Sequence, residues 1–389
     1  MATADMAVFL FAFGLVIFLN WEWRLTRGWR KWQKREEQAE VEGLPILDVV
    51  MCVRNGVQEL PGWLEGMSAQ EGVALRITVV DDDSTDGTAE LLAGAQIAAP
   101  HSLCVVHVKD TRPGKKDALA AGLDRAEGPW VWLTDVDCRP VSATTAVRMM
   151  SPLLAGAGDV VLGVSLPQLS SPSLERNGSW ARAFAMADAL RIARTYLGWA
   201  GEGMPFMAVG RNWAFRRELW PGIGSHVDVV ASGDDDLVLQ EMLSKGSRDA
   251  AALRVVGMME PASQMATRAP VDWTAMARAK RRHLSTGNHY PAGVLFLLGL
   301  PAAAGLLWGL AAVLAAGLGV EVFHSGLWIA VGTLGAMWML HALTFRSFVR
   351  ACGIRTADQW LGLWQPGVWL WLMGQTFVAA LSGEKRVWS

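Results

Sequence analysis

The sequence predicts an α/β domain with a mostly parallel sheet and helices on both faces, flanked by apolar helices of membrane-spanning character. Three observations predict it. Short apolar runs alternate with helical patterns between about Gly43 and Gly287. Acidic clusters follow directly on several of these runs, at the strand ends where such sheets bind ligands. One strongly apolar stretch precedes this block and two or three follow it.

The chain has 389 residues, room for one large domain with additions, and 52% of them are hydrophobic. Many of the 20 tryptophans stand near the ends of apolar runs, where an amphipathic ring suits a membrane–water boundary. The formal net charge of -2 implies no polyanion, so nucleic acid is not an expected partner. Cys52, Cys104, Cys138 and Cys352 show no paired spacing, which argues against a zinc or disulfide framework and fits a reducing compartment.

Taken in order, the first apolar run is Met6–Asn20, closed by Trp21 and Trp23. Only Asp5 precedes it, whereas Arg24, Arg27, Arg30, Lys31, Lys34 and Arg35 follow. That asymmetry disfavours a signal peptide and places the chain after Arg24 in the cytoplasm. The run is short for a span of about 20 residues, and its tryptophans extend it into the interface. The expected organisation is an anchor over residues 1–23 and a basic linker over 24–43. In the soluble block, 44–271, Ile46–Val53, Arg76–Val80, Cys104–Val108 and Val131–Thr134 read as buried strands. Gly56–Met67, Thr88–Gln96 and Lys116–Ala126 read as the helices between them. Asp272–His283, within an interfacial segment 272–290, carries Trp273 and Met276 together with Arg278, Lys280, Arg281 and Arg282. It reads as a basic amphipathic helix at the interface, although the same charges also satisfy topology alone. Pro291–Leu318 and Gly326–Leu343 read as spans, and Leu361–Leu381 as a further span or a re-entrant segment within the membrane region 291–389.

Three acidic clusters carry the chemistry. Asp81-Asp82-Asp83-Ser84-Thr85-Asp86 lies between a strand and a helix; a helix cap explains the later residues but does not require Asp81 and Asp82. Asp135-Val136-Asp137 leaves the next strand with two carboxylates able to turn toward one hard cation, magnesium or manganese. Asp234-Asp235-Asp236 precedes the helical Val238–Leu243, and reads either as a charged helix start or as the source of a general base. Gly114-Lys115-Lys116 suits phosphate binding at a helix start but is no Walker loop.

As a set, these stretches resemble the family 2 glycosyltransferases of GT-A fold. The matching segments are Val49–Leu60, Ile77–Thr88, Gly114–Leu119, Thr134–Asp137, Gly210–Arg216 and Ser232–Leu237, in the family's order and spacing. The resemblance implies that Val53, Asn55, Asp81, Asp82, Lys115 and Asp135 hold the nucleotide donor. It implies a divalent metal, Mg2+ or Mn2+, on Asp135 and Asp137, and a catalytic base at Asp235 with Asp234 as its acidic neighbour. Gly210, Asn212 and Trp213 fall in the region that lines the acceptor. Where membrane-bound members carry Gln-x-x-Arg-Trp, this chain has Ala279-Lys280-Arg281-Arg282-His283: Arg282 matches as a phosphate contact, while His283 stands in the acceptor floor for Trp. Asp83 replaces the commoner glycine, and Cys52-Val53 the commoner Pro-Ala.

The resemblance also implies a UDP-sugar donor and inversion at the anomeric carbon. The expected acceptor is a membrane lipid or another hydrophobic hydroxyl, as in ceramide glucosyltransferase-like members. A processive β-linked oligo- or polysaccharide synthase is the alternative, and a catalytically silent scaffold the distant one. The expected location is a bacterial inner membrane with the catalytic domain cytoplasmic; the oligomeric state stays open.

Overall fold

The chain is described by a computed structural model at residues 2–34, 44–112, 114–167, 179–222, 233, 235–246, 253–270, 272–287, 289–316, 320–354, 357–364, 367–368, 371 and 374. The strands are β1 (Ile46–Val53), β2 (Ala74–Asp82), β3 (Ser102–Val108), β4 (Trp130–Asp135), β5 (Cys138–Pro140), β6 (Val160–Leu162), β7 (Ser165–Pro167), β8 (Trp213–Arg216), β9 (Val255–Gly257) and β10 (Met265–Thr267). The helices are α1 (Ala2–Arg30), α2 (Leu60–Ser68), α3 (Thr88–Gly94), α4 (Lys116–Leu123), α5 (Thr145–Leu154), α6 (Ser179–Gly201), α7 (Asp236–Gly246), α8 (Trp273–Gly287), α9 (Ala292–Ala316) and α10 (Val320–Ala351).

β1 shows why the central strands form. Its sequence, ILDVVMCV, is apolar almost throughout, as a strand covered on both faces must be. Alternate side chains go to opposite layers: Leu47, Val49, Met51 and Val53 pack with Trp63 of α2 and Met149 of α5. Val50 and Cys52 face the other core, with Leu119 of α4 and Leu190 of α6. The one acid in the strand, Asp48, is buried but satisfied by Arg76 and by the backbone N–H groups of Glu127 and Gly128.

The main sheet has the order β3-β2-β1-β4-β8-β6-β9. β1 pairs in parallel with β2 on one side and β4 on the other, while β8 runs antiparallel to both β4 and β6. The mostly parallel, mixed α/β architecture expected from the sequence is therefore present. A second sheet, β5-β10-β7, lies beside it. Because β1 feeds β2 on one flank and faces β4 on the other, the strand order reverses at β1, where such sheets form their crevice. Register brings Val53 opposite Asp81 and Cys52 opposite Asp135, so two acidic clusters meet at one edge.

The first apolar run is longer than it reads. Helix continues through residues 24–30 of the expected linker, because Leu25 and Trp29 are buried. Trp29 meets Phe348 of α10 edge-on and Trp21 meets Trp199 of α6. Residues 35–43 of the linker lie outside the described residues. Among the described residues two helices are long and apolar enough to cross a membrane, Thr3–Gln33 and Ala292–Ala315. They touch where Trp308 covers Gly14 and donates to the Phe11 carbonyl at 3.3 Å. The expected stretch 326–343 lies inside α10, and Leu361–Leu381 begins in a 3-10 helix, Ala357–Trp364, with most of the rest outside the described residues.

Candidate active site

The site is built at the carboxyl ends of β1, β2 and β4. After β1 the chain turns sharply at Asn55, whose φ of 55° is left-handed. The turn is stitched to the loop after β2: Asn55 N–H donates to Ser84 Oγ at 2.9 Å, and Thr85 N–H donates to Asn55 Oδ1 at 2.8 Å. Asp86 accepts from the N–H groups of Val57 and Thr88, so it fastens the loop just ahead of α3, whose N-cap is Gly87. The later residues of the cluster are thus occupied in fastening the turn, as a purely structural reading of them expects.

Asp81 and Asp82 are buried at the end of β2. Asp81 bonds to His107 Nδ1 at 3.1 Å, and Asp82 accepts from Thr111 Oγ1 at 2.6 Å. The second Asp82 oxygen has no hydrogen-bond partner; its nearest cation, Arg54, is 3.9 Å away. A buried carboxylate oxygen left this way is a place for a ligand donor. Val53 is buried beneath the turn and offers its backbone only.

Across the crevice, Lys115 donates to Asp135 Oδ1 at 2.7 Å. Asp137 is turned inward, accepting from Cys138 Sγ at 3.4 Å and Thr267 Oγ1 at 3.3 Å. Burial and the neighbouring Asp135 push the Asp137 carboxyl above its ordinary range. The negative charge that Asp135 sets beside a buried Asp137 is one that a cation would relieve. Among the described residues no group of three such ligands exists, so the donor set fits Mg2+ or Mn2+ sharing its coordination with substrate phosphate, not a closed protein cage.

The third cluster arrives from the far half of the chain. Gly233 has a φ of 88°, open to glycine, and its hydrogen side faces Leu237 and Thr286 of α8, leaving no space for a Cβ. Asp235 then accepts from Gly210 N–H at 2.8 Å and from Asp236 N–H at 2.8 Å. A Cβ on Gly210 would lie 3.2 Å from Lys115 Nζ and 3.4 Å from Asp235 Oδ2. Lys115, Asp135, Gly210 and Asp235 therefore converge on one space. Asp236 bonds Tyr290 instead, and burial with that carboxylate pushes the Tyr290 hydroxyl far up.

Two expected acceptor residues are placed elsewhere. Asn212 is fully buried: its amide donates to the carbonyls of Val164 and Ser263 and accepts from Trp132 Nε1. Trp213 stacks into the core beside Phe215, as alternation along β8 requires. Both point inward because three buried polar groups need one amide and the core needs one large ring. Gly210 alone of that trio faces the cleft. Asp234, and the side chains of Arg282 and His283, lie outside the described residues.

The structure adds residues that the sequence reading passed over. His107 pairs with Asp81, Tyr290 with Asp236, and Arg211 stands near Asp135 and Asp137. Only Arg211, inside a matched segment, carried a local signal. Lys280 is not an interfacial charge: it is paired with Asp188 of α6, which Arg191 also contacts.

Known proteins resemble the chain in part of its sequence and in its fold. Residues 48–219 match the family model described as glycosyl transferase family 2. The succinoglycan biosynthesis protein ExoO of Rhizobium meliloti is 31% identical over 97 residues, 25% of this chain and 27% of that protein. A PGL/p-HBAD biosynthesis glycosyltransferase of Mycobacterium tuberculosis is 29% identical over 107 residues, 27% of this chain and 40% of that protein. The chain thus matches well under half the length of either curated relative. A mannosyltransferase from Pyrobaculum calidifontis, solved with GDP-Man and Mn2+, superposes with a TM-score of 0.56 over 90% of this chain and 97% of its own, at 19% identity. That likeness is one of fold.

Proposed function

Because the chain carries a glycosyl transferase family 2 domain on a GT-A fold, and is a transferase enzyme, we propose that it moves a sugar from a nucleotide-sugar to a hydroxyl of a membrane lipid or other hydrophobic acceptor. The observation that carries this reading is the convergence of Asp235, Gly210, Lys115 and Asp135 on one space at the strand-order reversal. The nucleoside would lie over the stitched loops of residues 54–57 and 81–86, above the buried Asp82. The default donor is a UDP-sugar, and the Pyrobaculum enzyme's GDP-Man keeps a guanine nucleotide in the comparison.

A bound Mg2+ or Mn2+ at Asp135 and Asp137 would supply positive charge to the leaving diphosphate. Lys115 would add a second charge from the other side. Asp235, held by two backbone N–H groups, is aimed to take the proton from the acceptor hydroxyl as that oxygen attacks the anomeric carbon. A single displacement inverts the centre. The apolar helices Thr3–Gln33 and Ala292–Ala315 support an anchored enzyme whose acceptor comes from the bilayer on the cytoplasmic side. The relatives named for succinoglycan and PGL/p-HBAD biosynthesis support a role in building glycans.

Mass spectrometry of lipid extracts from cells expressing wild type or Asp235→Asn tests the reading. A lipid heavier by one sugar, present only with wild type, is the expected result. A ladder of repeating sugar masses would replace single transfer by a processive synthase. Identical product from Asp235→Asn would remove Asp235 as the base.

A further inference from the structure

Most described cations of this region already have partners. Lys115 is bonded to Asp135, Arg54 lies 3.9 Å from Asp82, and Lys280 and Arg191 face Asp188. Arg211 differs. It follows Gly210, whose N–H holds Asp235, and precedes Asn212, whose side chain is locked by three hydrogen bonds. The backbone on both sides is thereby fixed, and the side chain is delivered beside α6, within electrostatic reach of Asp135 and Asp137. There it is half-buried, and among the described residues it makes no hydrogen bond and has no carboxylate oxygen within 4.0 Å.

Its surroundings are polar on one side and apolar on the other. Arg211 lines a small cavity with Ser165, Tyr196, Val209 and the α6 residues Ile192 and Ala193. The Ser165 hydroxyl in that cavity is buried without a hydrogen-bond partner. Arginine stays cationic in such a setting, so its charge is held against an apolar helix face. A guanidinium has five donors in a planar fork, suited to phosphate oxygens and costly to leave partly dehydrated without an acceptor.

We propose that Arg211 binds the diphosphate of the nucleotide-sugar donor, facing it from the α6 side while Lys115 faces it from α4. The proposal rests on the donor site read above. During transfer the bond between the anomeric carbon and the β-phosphate oxygen breaks, and its electron pair stays on that oxygen. The acceptor oxygen bonds to the carbon and its proton passes to Asp235. Arg211 moves no proton; it stabilises the oxygen on which charge accumulates.

Equilibrium titration of the full chain in detergent tests this, with UDP, UMP, GDP and GMP as probes, with Mn2+ and with chelator. Wild type should bind one of the two diphosphates. Arg211→Ala should weaken that diphosphate about 10- to 100-fold while changing the matching monophosphate about 3-fold or less. The diphosphate loss should persist in chelator, where the metal contributes nothing. Arg211→Lys, which keeps the charge and loses the fork, should fall between the two and serves where the alanine variant does not fold. Equal affinities of wild type and variants for diphosphate would overturn the role. So would a lower unfolding temperature with an unchanged diphosphate-to-monophosphate ratio, which would make Arg211 only a counter-charge for Asp137. Failure of wild type to bind any diphosphate would overturn the donor-site reading itself, and this proposal with it.

Discussion

Asp137 illustrates how much a single residue depends on its setting. In sequence it is one of two acids around a valine, a pattern common in surface loops. In the fold it is turned inward against Cys138 and Thr267, with Asp135 beside it. Burial and that second carboxylate lift its pKa above the ordinary 3.8, so the protonated form persists to higher pH than in an exposed aspartate. A divalent cation at the proposed Asp135–Asp137 site would have to displace this proton. Mn2+ affinity, titrated between about pH 8 and about pH 5, is therefore expected to fall as pH drops, and Asp137→Asn should weaken Mn2+ by about 100-fold at the upper end and progressively less toward the lower end, where the wild-type carboxyl is itself protonated. Mn2+ titrations across that range check both; an affinity flat down to pH 5 would leave no role for a raised Asp137. Asn212 makes the opposite point. It sits in a recognised segment, yet its amide closes three internal hydrogen bonds and none toward a substrate.

At the scale of elements, α1 and α6 approach backbone to backbone. A Cβ on Gly28 would lie 1.9 Å from the Gly198 carbonyl oxygen, and one on Gly201 would lie 2.1 Å from the Gly28 carbonyl oxygen. Glycine is required on both helices because backbone faces backbone there. Gly28→Leu should separate them at a cost of about 1–3 kcal/mol or more. Gly94→Ala, where a Cβ meets nothing within 4 Å, should change stability by less than about 1 kcal/mol. Thermal unfolding with limited proteolysis compares the two; similar losses would mean that the crossing is loose. The glycine spacing was visible in the sequence, but its partner helix was not, since Gly28 and Gly198 are far apart in the chain.

Across the whole molecule, a buried charged group joins the amino-terminal helix, the catalytic domain and the carboxyl-terminal helices. Arg194 of α6 donates to Glu22 of α1 at 2.5 Å, and His341 and Thr344 of α10 reach the same carboxylate at 2.8 Å. Two residues along α6, Tyr196 donates to the Gly163 carbonyl behind the active site. Helices α1, α6 and α10 are thus packed together against the sheet. Arg194→Met should cost about 3–5 kcal/mol by leaving Glu22 buried without its main partner, whereas Glu22→Leu with Arg194→Met should recover much of that loss. Unfolding of the single and double variants measures the coupling, and additive losses would show that the two charges act independently.

The sequence by itself determined the layered α/β domain, the strands that carry the acidic clusters and the apolar helices around it. These follow from local composition: a run apolar on both faces must be covered, and acids directly after it must stand at its end. The glycosyltransferase resemblance likewise rested on short segments in order. Only the tertiary structure decided which side chains meet. It buried Asn212 and Trp213, gave Lys280 to Asp188, carried α1 through the expected linker as far as Arg30 and set Arg211 near Asp135 and Asp137. The physical reason is that a side chain's direction is set by its partners, and here those partners lie on strands and helices brought together only when the sheet is assembled.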